Sequence, residues 1–210
     1  TDIQVARQDP GDAGAIATGS ASVKLGAHID ARADMAAPML DLDELAGAKS
    51  RDLLRQAGSL AVIDSLLAML PHDMSLDGSV KVTALKTEGQ TLDNVSLAVA
   101  ADRDRLRIDR FSSGLPGRTQ VLYKGSYFPA PGGGELSGDM ALETSDLREF
   151  TMWLWRGGRA ALGPLWTGSR GRLKMQTAIS VTPAGLRLTG TDFELDGERG
   201  NGALSVTSAG

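Results

Sequence analysis

The residue types that carry out nucleophilic catalysis are scarce in this chain. Such catalysis requires a Ser, Thr or Cys beside a general base that a third group orients. The chain has no cysteine and only two histidines, His28 on the polar side of an alternating run and His72 directly after a proline. Neither lies near a Gly-x-Ser-x-Gly or Ser-x-x-Lys motif. We therefore expect both histidines to be solvated, and the sequence predicts a non-enzymatic protein, with a hydrolase as the least favoured alternative.

The densest group of carboxylates comprises Asp41, Asp43 and Glu44. Paired carboxylates perform acid–base chemistry when their environments separate their pKa values, and clustered carboxylates bind calcium. This group lacks the glycine and the final glutamate of a calcium loop. It lies at the edge of a predicted helix, where acidic residues act as caps or are solvated. The sequence thus predicts no catalytic residue, no metal site and no cofactor.

Glycine-rich segments could in principle bind phosphate, but they lie in the wrong context here. A phosphate cradle or a nucleic-acid clamp places its glycines before a helix, whereas Gly132–Gly134 leads into a predicted strand. Two Gly-x-x-Gly segments, at Gly114/Gly117 and Gly197/Gly200, also lie between predicted strands. They indicate turns or bulges with positive φ. The net charge of −4 and the pI near 5.2 also disfavour a nucleic-acid partner.

Around each Gly-x-x-Gly segment the chain repeats one pattern: an apolar-alternating run, the glycines, and a second alternating run. The runs are Leu106/Ile108 and Val121/Tyr123 in the first copy, and Leu186/Leu188 and Leu204/Val206 in the second. Repetition of a strand unit predicts a sheet that grows by adding strands. We expect a loose terminus or edge segment at 1–19 and one elongated domain at 20–210, with degenerate repeats at about 20–127 and 134–207. The chain begins at Thr1 without Met, which suggests a piece of a longer protein.

The periodicity of the remaining segments predicts the fold class. Apolar residues recur every three or four positions from Ser50 to Leu70 until Pro71, which indicates a helix. A second helix is expected after Asp146, an N-cap with Glu149 three residues later. Alternation with a period of two indicates strands elsewhere, at Val23–Ile29, Val80–Val82, Val95–Val99, Leu106–Ile108, Val121–Tyr123, Leu136–Leu142, Leu173–Val181, Leu186–Leu188, Phe193–Leu195 and Leu204–Val206. The prediction is a mainly β, α+β fold: a curved antiparallel meander with about two amphipathic helices packed on it or capping it.

One segment is unusually rich in tryptophan and arginine. All three tryptophans lie within residues 150–172, together with several arginines. This combination suits a membrane interface or a protein contact, so Trp153, Trp155 and Arg156 are candidate lipid- or partner-contact residues. The alternative is that this helix is buried on two sides.

The segment Leu76–Tyr127, which begins Leu-Asp-Gly-Ser-Val-Lys-Val-Thr-Ala-Leu-Lys-Thr, resembles the AsmA family of bacterial envelope proteins. The strand and Ser-Asp-Leu-Arg-Glu-Phe sequence of Gly134–Phe150 and the strands of Leu186–Val206 resemble it as well. The resemblance implies a periplasmic β-sheet groove within a protein anchored in the inner membrane. It also implies a role in outer-membrane biogenesis or phospholipid transport, with envelope lipids or envelope proteins as partners, and it offers no catalytic residue.

The residues alone leave open whether the apolar sheet face is a groove or a packed core. Small residues favour an open groove, namely Ala98, Ala100, Gly125 and Gly138. Alternating Val, Leu and Ile would look the same if helices filled the sheet. The longest apolar stretch, Leu60–Leu70, is shorter than the roughly 20 residues that cross a bilayer.

Overall fold

The computed structural model describes residues 2–5, 17–41, 60, 63–87, 90–156 and 171–207, without the side chains of 2–5, 155 and 156. These residues form one 11-stranded sheet whose spatial order follows the chain from first strand to last. The strands are β1 (Asp2–Val5), β2 (Ala17–Lys24), β3 (Ile29–Asp41), β4 (Met74–Thr87), β5 (Gln90–Ala101), β6 (Leu106–Leu115), β7 (Thr119–Phe128), β8 (Glu135–Thr144), β9 (Leu173–Thr182), β10 (Gly185–Leu195) and β11 (Glu198–Thr207). Two helical segments accompany them: α1, described at residues 60 and 63–68, and α2 (Leu147–Arg156). The mainly β meander predicted from the sequence is confirmed.

The first part of the meander differs from the sequence prediction. Val23–Ile29 is not one strand, because β2 ends at Lys24 and β3 starts at Ile29 after a turn that contains Gly26. The β3–β4 pair is parallel, whereas every other neighbouring pair is antiparallel. A parallel pair needs a long crossover connection, and residues 42–73, which include α1, provide it. The predicted helix edge at Asp41 is the end of β3, and Asp43 and Glu44 lie outside the described residues.

Register sorts the side chains into two chemically distinct faces, because successive residues of a strand point to opposite sides. On one side, here called the apolar face, cross-strand neighbours are apolar over long rows, such as Leu76–Ala101–Leu106–Tyr127–Leu136–Val181. The opposite side, the polar face, carries ion pairs between Lys124 and Asp139 and between Lys174 and Glu143. The charged run at 102–110 obeys the same rule: Arg107 and Asp109 pair on the polar face. The sheet therefore separates an apolar side from a solvated side.

Both helices pack on the apolar face. Leu67 of α1 is buried against Ala101 and Tyr127, and the helical residues end at 68, before Pro71. Leu147 and Phe150 of α2 are buried against Leu142. The predicted positions of the helices on the sheet are thus confirmed, while the predicted helical residues 50–59 lie outside the described part of the chain.

The predicted N-cap of α2 is present. The Asp146 carboxylate accepts a hydrogen bond from the Glu149 backbone N–H at 3.0 Å. This bond satisfies one of the donors that every helix leaves free at its start. The cap fixes the entry of α2 directly after β8.

The two Gly-x-x-Gly segments are turns, but the two copies are not equivalent. Gly117 has φ +79° between β6 and β7, and Gly197 has φ +92° between β10 and β11, as predicted. Gly114 and Gly200 instead lie within strands without positive φ. A Cβ at Gly200 would collide with the Phe193 ring. The turn glycine is therefore Gly117 in the first copy, where it is the second glycine, and Gly197 in the second copy, where it is the first.

Candidate functional site

A strip of apolar side chains crosses the strands between the two helices. It joins residues from six neighbouring strands, β5 to β10, through the register pairs of the sheet. All are partly exposed and none belongs to the clusters that the helices cover. We call this strip the apolar groove: Leu97, Val99, Ile108, Tyr123, Met140, Ile179 and Leu188.

The two sides of the apolar groove are formed by the helix-covered clusters. On one side lies the row of Leu76, Leu106 and Leu136 under α1. On the other side, Val121 and Leu142 lie under α2. The groove therefore runs across the strands. At about 4.8 Å per strand spacing, the row from Val99 on β5 to Leu188 on β10 is about 24 Å long.

Two glycines lie opposite each other at the centre of the groove. Gly125 and Gly138 pair across β7 and β8, and the side chain of Tyr123 lies over Gly125, where a Cβ would collide with its hydroxyl. The Tyr123 hydroxyl is buried and has no hydrogen-bond partner within the described residues. Burial, together with the nearby charge of Asp139, raises the pKa of Tyr123. The centre of the groove is thus lined by an aromatic ring over two glycines.

Only part of the predicted small-residue lining faces the groove. Gly125 and Gly138 lie on the apolar face, whereas Ala98 and Ala100 pair with Arg110 and Arg107 on the polar face. Their assignment to the groove was wrong, because the run from Leu97 to Ala100 is apolar throughout and does not show which residues face inward.

Beyond the helices the apolar face remains exposed at both ends of the sheet. Val23 on β2 is 62% exposed, Met35 on β3 is 47% exposed and Leu204 on β11 is 38% exposed. Large apolar side chains rarely stay so exposed along one continuous face unless they contact a ligand, a membrane or another protein. The groove therefore continues into exposed apolar surface on either side.

Tyr127 joins α1 to the sheet through hydrogen bonds. The Tyr127 hydroxyl donates to the Asp64 carboxylate at 2.6 Å and accepts from the Gly134 N–H at 3.0 Å, and the Leu60 carbonyl lies 3.0 Å away. Tyr127 is fully buried. Burial and the bond to Asp64 raise the pKa of Tyr127 to about 12. The position of α1 beside the groove thus depends on a polar contact as well as on apolar packing.

The predicted contact residues Trp153, Trp155 and Arg156 all belong to α2, but only the Trp153 side chain is described. Trp153 packs into the α2 cluster and stacks on Phe150 with ring centroids 6.0 Å apart, so it contributes to packing. Its Nε1 is buried without a hydrogen-bond partner in the described residues. Trp155 and Arg156 end α2, but their side chains lie outside the description. Met152, on the same helix, is 43% exposed.

The two histidines considered for chemistry are solvated. His28 and His72 are exposed, and His28 lies 3.6 Å from the Asp30 carboxylate. The described residues contain no group of three or more His, Cys, Asp or Glu side chains that could hold a metal ion. No helix within them is both long enough and apolar enough to cross a membrane.

The apolar groove depends on contacts that the sequence could not reveal. Its members come from six strands, and which residues meet across those strands follows from register rather than from spacing along the chain.

Comparisons of the chain with models of protein families, with curated proteins and with solved structures found no match.

Proposed function

We propose that the chain is a non-enzymatic module that binds acyl chains of a phospholipid or another envelope lipid in the apolar groove. The observation that carries this proposal is the continuous apolar face, which the described helices cover only on either side of the groove. The resemblance to the AsmA family supports placing the module in the periplasm, within a protein anchored in the inner membrane. Its role there is lipid transport or outer-membrane biogenesis.

The dimensions of the groove suit an acyl chain. A bilayer with a hydrocarbon core of about 30 Å gives each leaflet about 15 Å, so the groove, at about 24 Å, is longer than one acyl chain. Contact with an apolar surface stabilises a bound chain by about 0.8 kcal/mol for each buried methylene. The Ile108, Ile179 and Leu188 side chains are partly exposed in the groove and would bury their remaining apolar surface on binding.

The proposal is tested by one substitution in the groove and its neighbour on the opposite face. Ile179→Gln places an amide in the groove, whereas Ala178→Gln places the same group on the polar face. An acyl-chain fluorophore titrated into each protein should bind Ile179→Gln about 10-fold more weakly, which corresponds to the lost contact of one apolar side chain. Ala178→Gln should bind like the unsubstituted chain. Equal binding by the two variants would contradict the groove as the binding site.

A second candidate function is docking to a membrane surface or a partner protein through the region 150–172. The outer side of α2 favours it, since Met152 is exposed there. Trp153→Ala would disturb the α2 cluster, so Met152→Ser is the cleaner test. Loss of liposome or partner association in Met152→Ser, with acyl-probe binding unchanged, would favour docking as a separate activity.

A further inference from the structure

The polar face carries a concave surface, on the opposite side of the sheet from the apolar groove. It encloses a volume of about 740 Å³ across β2 to β6. Its polar lining residues are two cations, three hydroxyl groups and one amide, and none of its lining residues is acidic. We call this surface the cationic patch: Thr18, Lys81, Thr83, Asn94, Ser96 and Arg110.

The two cations of the patch have no direct ion-pair partner among the described residues. Lys81 and Arg110 form no hydrogen bond and no ion pair within the part of the chain that the structure describes. Asp34 on the adjacent strand has its pKa lowered first by its hydrogen bonds with Ser79 and Arg32, and also by the charge of Lys81. Arg32 donates to Asp34 at 3.1 Å, and Ser79 donates to the same carboxylate.

Asp109 is adjacent to Arg110 in the chain, but it forms its ion pair with Arg107. Arg107 binds both of its carboxylate oxygens, at 2.7 and 3.2 Å. A register shift in β6 between Ile108 and Phe111 places Asp109 and Arg110 in one bulge. Because Arg107 neutralises Asp109, the charge of Arg110 remains available to a ligand.

The spacing of the cations suits one anion held between them. Lys81 lies beside Ser96, and Arg110 lies one strand further and two residues along. At about 4.8 Å per strand spacing and about 3.3 Å per residue, their Cα atoms are about 12 Å apart, so both long side chains reach a group over Ser96. Asn94 lines the same surface with φ +50°, a left-handed conformation that asparagine adopts more readily than most residues other than glycine.

We propose that the cationic patch binds a phosphate group. Arg110 offers a planar guanidinium that can bind two phosphate oxygens, Lys81 supplies a point charge, and the hydroxyls of Thr83 and Ser96 donate to the remaining oxygens. Another concave surface on the polar face shares Arg110 and also contains Lys124, but its three carboxylates, Asp109, Asp139 and Asp192, outnumber these cations. Three carboxylates disfavour an anion there. The phosphate site is independent of acyl binding, because it lies on the other face of the sheet.

The test is a titration of the isotope-labelled chain with inorganic phosphate, followed by NMR, against sodium chloride of equal ionic strength. Phosphate should shift the backbone amides of Thr83, Asn94 and Ser96. Lys81→Gln and Arg110→Gln should each raise the dissociation constant at least about 5-fold, as expected for a lost charge-assisted hydrogen bond. Arg187→Gln removes an exposed charge from the same face on β10 and should change nothing. Equal chemical-shift changes with phosphate and with chloride would overturn the proposal. An equal change of the dissociation constant in all three variants would overturn it as well.

Two competition experiments identify the source of the phosphate. Glycerol 3-phosphate represents a soluble ester, and vesicles of phosphatidylcholine with or without phosphatidylglycerol represent lipid headgroups. Displacement of bound phosphate by glycerol 3-phosphate alone supports a soluble ligand, whereas displacement by the phosphatidylglycerol vesicles as well supports a headgroup. Displacement by neither would count against a phosphate-ester site. Acyl-probe binding by Lys81→Gln should stay unchanged in every case, so the two proposals fail separately.

Discussion

Removing the hydroxyl from each of two tyrosines on the same strand should lower stability at one site and not at the other. Tyr123 and Tyr127 both lie on the apolar face of β7 and differ in their hydrogen bonds. The Tyr127 hydroxyl binds the Asp64 carboxylate and the Gly134 N–H. The Tyr123 hydroxyl is buried with no partner among the described residues. Tyr→Phe thus removes satisfied hydrogen bonds at one site and an unsatisfied polar group at the other.

The expected magnitudes follow from these contacts. A neutral hydrogen bond contributes about 0.5–1.5 kcal/mol and a bond to a charged group about 1.5–3 kcal/mol. Tyr127→Phe should therefore lower the free energy of unfolding by about 2–4 kcal/mol, since it also leaves the Gly134 N–H unpaired. Tyr123→Phe should leave it unchanged or raise it by about 1 kcal/mol, because a buried hydroxyl without a partner is unfavourable.

Urea denaturation followed by circular dichroism measures both effects as shifts of the midpoint at constant slope. The matched pair controls for ring packing, because both substitutions keep the phenyl ring. A similar loss of stability in the two variants would refute the assignment of Tyr127 as the polar contact that holds α1. A large loss in Tyr123→Phe alone would show that the Tyr123 hydroxyl has a partner in solution.

Two other predictions concern the cap of α2 and the response to high pH. Asp146→Ala should lower the free energy of unfolding by about 1 kcal/mol in the same urea assay, because the Glu149 N–H loses its acceptor; an unchanged midpoint would contradict the cap. Since the pKa of Tyr127 is raised to about 12 in the folded chain from about 10 in the unfolded chain, its contribution to stability is complete below pH ~10 and is lost as the pH rises toward ~12. The urea midpoint of the unsubstituted chain should fall across this pH window, and the midpoint of Tyr127→Phe should fall less. Parallel pH profiles of the two proteins would count against the raised pKa of Tyr127.

The sequence predicted the regular parts of the fold well, because alternation and capping are local signals. The strands from β4 to β9 and the cap at Asp146 follow directly from them. The β2–β3 hairpin was missed, since apolar alternation continues through the turn around Gly26. The parallel pairing of β3 with β4 also escaped prediction, because it depends on a long crossover rather than on residues near either strand.

The candidate sites were less predictable than the fold. Which residues share the apolar groove depends on the register of strands that are distant in sequence. Trp153 was selected for its residue type, yet it packs in the α2 cluster. The partners of Tyr127, more than sixty residues away on α1, leave no local trace in the sequence. Lys81 and Arg110 stand out only once the neighbouring carboxylates are seen to be occupied.

Native mass spectrometry of the chain purified from a bacterial envelope fraction tests lipid binding in the apolar groove most directly. We expect the unsubstituted chain and Ala178→Gln to carry an added mass that organic extraction identifies as an acyl lipid, and Ile179→Gln to carry much less. A chain that carries no lipid as purified, and takes up none from added phospholipid, would contradict the proposed function.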